Sequence, residues 1–539
     1  MKNYTFLLLI CITGSVELTA QQSLPTDFLS NEFHAKRREA FRALLPEHAA
    51  VVIFAYPTRI FSRDIDYVYH PNPDLYYLTG YAEPDAMLIL FKDPQTYKGK
   101  NYNELFFVQG RNPDMETFTG KRLGVTGVQS KLGIKDVYFG ADFKNFPVDF
   151  TTQYKIIFAG IPLGMVDDES DTADLFDLVQ QFKLKAGLPP NYDNNLAASI
   201  SFLPTYLPVW NQVLPYLKER MAANEKYAKN ELFAAFVNSK DSLQRDSLAK
   251  EVKKIKYDNG EYRNIVNKLR GIKTDEEMGL IRKAVEISGI GHLEAMMAIH
   301  PQISEREIQG IHEFVHKKYG AEYVGYGSIV GAGNNGCTLH YEANASLHVG
   351  NQLVLMDIGA EYHGYSADIT RTVPANGKFS PEQKIIYELV LKAQDEIFKI
   401  CKSGTPFDSL QAAARRVLGN GLLELGIIKK MEEVDTYYPH GCSHHMGLDV
   451  HDRGDYDILQ KGMVITVEPG IYIQDSSACD KKWWEIGVRI EDDVMIRDRD
   501  FELLSGIAPR TVADIEKTMA MKSPFKNFVL PVLPSANNR

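Results

Sequence analysis

The chain has 539 residues, 44% hydrophobic and 24% charged, with a formal net charge of -10. At about 100–200 residues per domain this is too long for one ordinary core and argues for two or more domains. The balance excludes the basic excess of a nucleic-acid binder and the low hydrophobicity of a disordered chain, so no nucleic-acid partner is expected.

The first twenty residues stand apart. Lys2 precedes an apolar run from Phe6 to Ile12, and Leu18-Thr19-Ala20 precedes the polar Gln21-Gln22. This pattern predicts a signal peptide over residues 1–20, cleaved after Ala20, and hence an exported protein, periplasmic or secreted. A lipid anchor on Cys11 is disfavoured by the bulky Ile10 and the few apolar residues before it. No later run approaches 18 apolar residues, so no membrane span is expected. The other cysteines, Cys337, Cys401, Cys442 and Cys479, form no CxxC pair and imply neither a disulfide scaffold nor a zinc knuckle.

From about 33 to 183 the strand-like runs AAVVIFAY (49–56), AMLILFK (86–92), ELFFVQG (104–110) and YKIIFAG (154–160) alternate with helical segments. That predicts an α/β amino-terminal domain. From about 184 to 267 acid and base interleave along helical patterns, which reads as solvated helices elaborating a first domain of residues 21–267. A second domain is expected over 268–522. Thr274 caps a helix whose first turn holds Asp275, Glu276 and Glu277, and a second helix, EREIQGIHEFVHKKYG, ends at Gly320. Strand signals dominate through Val373, helices follow at about 381–402 and 407–425, and strands return in MVITVEPGIYI (463–473) and WWEIGVRIEDDVMI (483–496). Residues 523–539, with Pro524, Pro531 and Pro534, read as a tail. The fold class is α/β (α+β).

The stretch LVLMDIGAEYHGYSADITRTV (353–373) carries two aspartates where a buried strand should carry none. Read as a β-hairpin with a two-residue His363-Gly364 turn, it places Asp357 opposite Thr370 and Asp368 on the same face. Diagonal neighbours of this kind lie roughly 7–8 Å apart, a gap suited to a cation between two carboxylates.

Two literal motifs point elsewhere. His312-Glu313-Phe314-Val315-His316 spells HExxH, the zinc-peptidase signature, but no third ligand follows at metzincin spacing. The preferred reading is an amphipathic helix whose His and Glu face solvent. Gly331-Ala332-Gly333-Asn334-Asn335-Gly336 spells GxGxxG, yet Cys337-Thr338-Leu339-His340-Tyr341 reads as extended instead of opening the helix a dinucleotide site needs. These glycines read as a turn.

Other signals converge on the hairpin. HGCSHHMGLDVHD packs histidines at 440, 444, 445 and 451, with Gly441 and Gly447 allowing close backbone approach. Glu468 in TVEPG and Glu491 in GVRIEDD put carboxylates into otherwise apolar strands, at a desolvation cost that metal binding would offset. Two Asp, one or two His and two Glu suit Mn(II), Co(II) or Zn(II) in a two-metal site that hydrolyses an amide.

Together DIGAEYHGYSADITRT, SIVGAGNNGCTLHY, HGCSHHMGLDVHD, TVEPGIYI and GVRIEDD resemble the pita-bread metallopeptidases, most closely the Xaa-Pro aminopeptidase (aminopeptidase P) branch with its prolidase relatives. YHPNPDLYYLTGYAEPDAMLILF and ETFTGKRLG resemble that branch's creatinase/aminopeptidase P-like N-terminal domain. The resemblance implies two divalent ions, Mn(II) first and Zn(II) or Co(II) as alternatives, held by Asp357, Asp368, His444, Glu468 and Glu491, with Asp368 and Glu491 bridging. His444 is preferred to His445 because the family's ligand lies seven residues before His451. The resemblance also implies substrate or catalytic contacts from His340, His440 and His451, with Arg489 near the carboxylates and Tyr326 near Asp357. The implied reaction is attack by a metal-bridging hydroxide on the bond before a proline in second position. His451 would stabilise the oxyanion, Glu468 would shuttle the proton and His340 would face the leaving nitrogen. Self-association as a dimer or tetramer is implied as well. The alternatives are a prolidase, restricted to dipeptides, and a peptide-binding module that has lost its metals.

Overall fold

The structure, a computed structural model, describes residues 26–525 except 98, 149, 151–154, 170 and 254–256. The expected signal peptide, and the tail beyond Phe525, lie outside the described residues.

The amino-terminal half is built on a six-stranded sheet. Its strands are β1 (Ala49–Phe54), β2 (Ala86–Tyr97), β3 (Lys100–Val108), β4 (Val137–Phe139), β5 (Lys155–Phe158) and β6 (Tyr257–Asp258), in the order β4-β3-β2-β1-β5-β6. β1 runs antiparallel to β2 and parallel to β5, and every residue of β1 is buried. Strand alternation then divides its apolar residues between two layers. Val51, Ile53, Leu88 and Leu90 pack against α1 (Asn31–Leu44) and α2 (Pro73–Thr79), whereas Val52, Phe54, Met87 and Ile89 pack against the helix Leu175–Ala186.

The helices that follow are largely solvated on the outside, as their charges suggest, but they also pack on one another. Asn194–Phe202, Trp210–Ala223, Glu231–Val237 and Ser242–Lys253 enclose a small core of their own around Leu203, Trp210, Phe233, Phe236 and Val237. The interleaved charges cover only the outside, and the long helical pattern breaks where Asn224 and Asn230 turn extended and cap new helices. The chain then returns to the first sheet through β6, and α3 (Asn259–Gly271) crosses the expected boundary at 267, with Tyr262, Ile265 and Val266 in the amino-terminal core.

In the second half, α4 (Asp275–Ala298) begins at the capping box expected from Thr274 and Glu277. α5 (Glu305–Lys318) carries the HExxH residues, but His312 and His316 are buried and do not face solvent. Their side of the helix faces α4, where His292 and His312 meet edge to face at 4.5 Å. The GxGxxG stretch forms a short 3-10 turn, Gly333–Cys337, with no helix after it. A Cβ on Gly331 would lie 2.7 Å from the nitrogen of Gly336, so these glycines serve close backbone packing. Residues 338–340 continue as a turn in place of the extended run expected there.

The hairpin forms with the expected register: Asp357 faces Thr370 and Glu361 faces Ser366. His363 (φ 51) and Gly364 (φ 86) make the two-residue turn. It is not one ladder, however. β9 (Leu353–Asp357) and β12 (Thr370–Pro374) join β8 (Ile329–Ala332), while β10 (Ala360–Tyr362) and β11 (Tyr365–Ser366) join β7 (Tyr323–Val324) in a separate sheet. The break is at Gly359, where a Cβ would stand 1.8 Å from the carbonyl oxygen of Ala367. The two later apolar runs break likewise. Glu468-Pro469 separates β13 (Val464–Val467) from β14 (Gly470–Ile473), and Ile490-Glu491 separates β15 (Ile486–Arg489) from β16 (Asp492–Ile496). All four carboxylates of interest therefore sit where a strand leaves one sheet for another. The helices Pro381–Phe398 and Asp408–Glu424 cover the outer face of these sheets through Ile386, Val390, Leu410 and Leu418.

Candidate metal centre

Each strand break directs one carboxylate into a shared cavity, and the loop 440–451 adds its histidines to the same lining. Tyr326, His340, Asp357, Asp368, His440, His444, His451, Glu468, Arg489 and Glu491, all singled out in the sequence, line one cavity of about 460 Å³. Asp368, His444 and Glu491 each offer a ligand atom, all within 4.8 Å of one another. His444 Nε2 lies 3.4 Å from both Asp368 Oδ2 and Glu468 Oε1.

Neighbouring bonds fix how these groups present themselves. His444 Nδ1 donates to the carbonyl of His445 at 3.0 Å, which leaves Nε2 facing the carboxylates. His445 itself is buried away from the cavity, bonded to the Asp455 carbonyl and packed on Tyr456. Tyr326 places its hydroxyl 2.5 Å from Asp357 Oδ1 and 2.7 Å from Asp368 Oδ1. Arg489 donates to Asp357 Oδ2 at 2.5 Å, to Thr370 Oγ1 and to the Tyr472 hydroxyl. Since Tyr472 accepts from Arg489, its own proton goes to His440 Nε2 at 2.8 Å, and His440 Nδ1 donates to the Gly441 carbonyl at 2.7 Å. The His440 ring is thereby held neutral in one tautomer, its pKa pushed down to about 4 by burial and by Arg489.

Charge is the dominant feature. Burial, reinforced by Asp368, Glu468 and Asp357, holds Glu491 well above the usual carboxylate range. Burial raises Glu468 to about 7 against the pull of His444, and Asp357 is raised as well despite Arg489. Burial opposes charge on His444 too, but the Asp368 and Glu468 carboxylates outweigh it and bring the ring to about 9. One guanidinium and one imidazolium do not balance four converging carboxylates. The donor set of five oxygen and nitrogen side chains fits divalent cations.

Several participants were not picked out from sequence. Tyr472 links His440 to Arg489, and Thr370 donates to Glu491 Oε2 at 2.6 Å. Asp493, fully buried, accepts the backbone N–H of Asp368 at 3.1 Å. The run of three acids in GVRIEDD was the available signal for Asp493. Gly447 does permit a close approach, its missing Cβ lying 2.1 Å from Asp452 Oδ2, whereas nothing crowds Gly441.

Comparisons with known proteins agree with this architecture. Residues 279–498 match the model of metallopeptidase family M24, and residues 34–158 match the aminopeptidase P N-terminal domain. The Xaa-Pro aminopeptidase of Haemophilus influenzae is 31% identical over 94% of this chain and 100% of its own length. The structure of Escherichia coli aminopeptidase P with the inhibitor Pro-Leu superposes with a TM-score of 0.70 at 28% identity, covering 91% of this chain and 98% of that one. Aminopeptidase PepP of Pseudomonas aeruginosa gives a TM-score of 0.69 at 30% identity over 92% of this chain and 98% of that one. Among the described residues no helix is long and apolar enough to cross a membrane. The pita-bread architecture, the inward carboxylates and these relatives place the chain in metallopeptidase family M24, within its Xaa-Pro aminopeptidase (aminopeptidase P) branch, as a metallo-aminopeptidase.

Proposed function

We propose that this protein removes the N-terminal residue from peptides with proline in second position, using two divalent ions. The observation that carries the reading is the convergence of five ligand-type side chains, from four strand breaks and one loop, on a cavity that also holds His340, His440 and His451. The activity in the names of its relatives supports it. In this reading Asp357, Asp368, His444, Glu468 and Glu491 would hold the ions, and Mn(II) would be preferred over Zn(II) or Co(II) for an oxygen-rich set. When bound, the ions supply Lewis acidity and a hydroxide nucleophile at neutral pH.

The chain's own groups do the rest. Glu468, whose carboxylate enters the cavity at the strand break, takes and returns the proton of the attacking water. His451 donates to the oxyanion, and His340, an exposed residue of the same cavity, helps hold the substrate near the leaving proline nitrogen. Tyr326 and Arg489 fix Asp357 from its two oxygens. Proline has no N–H and a fixed φ, so its ring needs a pocket that asks for neither a backbone donor nor flexibility. Export rests on the pattern of residues 1–20, and self-association as a dimer or tetramer completes the reading.

The test compares an Xaa-Pro dipeptide with an Xaa-Pro-Yaa tripeptide after chelation, with and without Mn(II). Cleavage of the tripeptide only with metal restored is expected. Cleavage of the dipeptide alone would make the protein a prolidase, and full activity without metal would end the reading.

A further inference from the structure

Beside the loop that carries His451 lies a buried ion cluster assembled from three parts of the chain. Arg270, near the end of α3, has a side chain only 2% exposed. Its Nη1 donates to Asp74 Oδ1 at 2.7 Å and its Nη2 to Asp449 Oδ2 at 2.8 Å, and Nη2 also reaches Asp452 Oδ1. The other oxygen of Asp452 accepts from Lys273 Nζ at 2.8 Å. Asp74 belongs to α2 in the amino-terminal half, where its second oxygen accepts from the Tyr262 hydroxyl at 2.8 Å. Asp449 and Asp452 stand on either side of His451. One guanidinium, anchored in the amino-terminal half, therefore grips the catalytic loop both before and after that imidazole.

The His451 ring cannot hold itself in place. Among the described residues it has no hydrogen-bond partner, and its ring contact is an edge-to-face approach to His444 at 4.3 Å. Its position is thus set by the backbone, and the backbone is set by the two flanking carboxylates. Buried charges of this kind cost several kcal/mol unless closely paired, so the cluster is retained only if all its members meet. The loop makes room for it at Gly447, where a Cβ would stand 2.1 Å from Asp452 Oδ2 and 2.9 Å from Lys273 Nζ.

We propose that Arg270 is a positioning residue for His451, and that Asp74 makes catalysis depend on the amino-terminal half through it. The inference rests on the oxyanion role proposed above for His451. The test uses the metal-loaded full chain and an Xaa-Pro-Yaa tripeptide. Asp74→Asn and Arg270→Lys are measured alone and together with His451→Ala, reading kcat, KM and bound metal. By the scale of outer-shell effects, Asp74→Asn alone should lower kcat about tenfold with metal content unchanged. In the His451→Ala background the same change should cost less than about twofold, because the group it positions is gone. Equal losses in both backgrounds would reduce the cluster to a structural role and overturn the proposal. Should Arg270→Lys fail to fold, Asp449→Asn, at a carboxylate 45% exposed, carries the same comparison. An unchanged kcat in His451→Ala alone would instead remove the oxyanion role, and the positioning role with it.

Discussion

Two groups of histidines lie in the second half of this chain, and only one is prepared for a cation. His444 gives its Nδ1 proton to a carbonyl and turns Nε2 toward two carboxylates at 3.4 Å. His312 and His316 are more deeply buried, yet neither ring has a hydrogen-bond partner on either nitrogen among the described residues. The glutamate of their motif turns away to Gln309 and Ser328. The titration follows the neighbours. Carboxylates raise His444 to about 9 against the effect of burial, whereas burial unopposed by any acid pushes His316 down to about 4 and His292 to about 3. The HExxH spacing is perfect, yet its two rings meet no carboxylate among the described residues, while the proposed ligands that converge are spread along the chain from Asp357 to Glu491.

The sharpest way to break this contrast is to remove a proposed ligand. Asp368→Asn or His444→Ala should abolish measurable cleavage and lower bound metal, read by elemental analysis after dialysis; either variant retaining both would sink the assignment. Next in size is Gly359→Ala, which leaves every ligand in place but puts a Cβ 1.8 Å from the Ala367 carbonyl, so the kink that aims Asp357 and Asp368 must shift. A loss of at least about 2 kcal/mol in stability, by chemical unfolding, with weakened metal binding is expected. A smaller and more diagnostic effect is proton release. A His444 ring protonated up to about 9 and a Glu468 carboxyl up to about 7 must both give up protons to a metal. Metal affinity of the stripped protein should therefore rise from pH 6 to 9. Because Glu491 is also held well above the usual carboxylate range, titration calorimetry in buffers of different ionisation enthalpy should report about two to three protons released per protein at neutral pH.

Much of this was legible before the structure. The register of the hairpin follows from one turn, because His363-Gly364 tolerates positive φ at both positions and a two-residue loop fixes every pair behind it. What pattern reading missed is that the apolar runs are interrupted. MVITVEPGIYI looks like one strand, but Pro469 cannot donate to a ladder, and Glu468 lies at the break it makes. The same blindness affected residues 184–267, where charge every few positions hid the Trp210, Phe233 and Phe236 core. For α5, hydrophobic spacing located the helix, but it could not say that α4 would cover the His312 and His316 side as well. Burial of a polar side chain is a tertiary fact, and here it was settled by a neighbour some twenty residues away.

That covered face offers the gentlest test of the contrast. His316→Leu fills the same buried space without a titratable ring, so activity on a tripeptide should stay within about twofold and bound metal should not change. Stability should respond instead. A histidine held near 4 in the fold and near 6.5 when unfolded binds more protons in the unfolded state between those values. The wild-type protein therefore keeps the full contribution above pH 6.5 and loses it as pH falls toward 4. Removing one such ring should flatten the slope of unfolding free energy in that window by up to about 1.4 kcal/mol per pH unit, with no change above pH 7. Denaturant unfolding at pH 5 and pH 7.5 reads the difference directly. If the substitution left the acid slope untouched but stripped metal or activity, the HExxH helix would be a working site after all, and the division between the two histidine groups would fail.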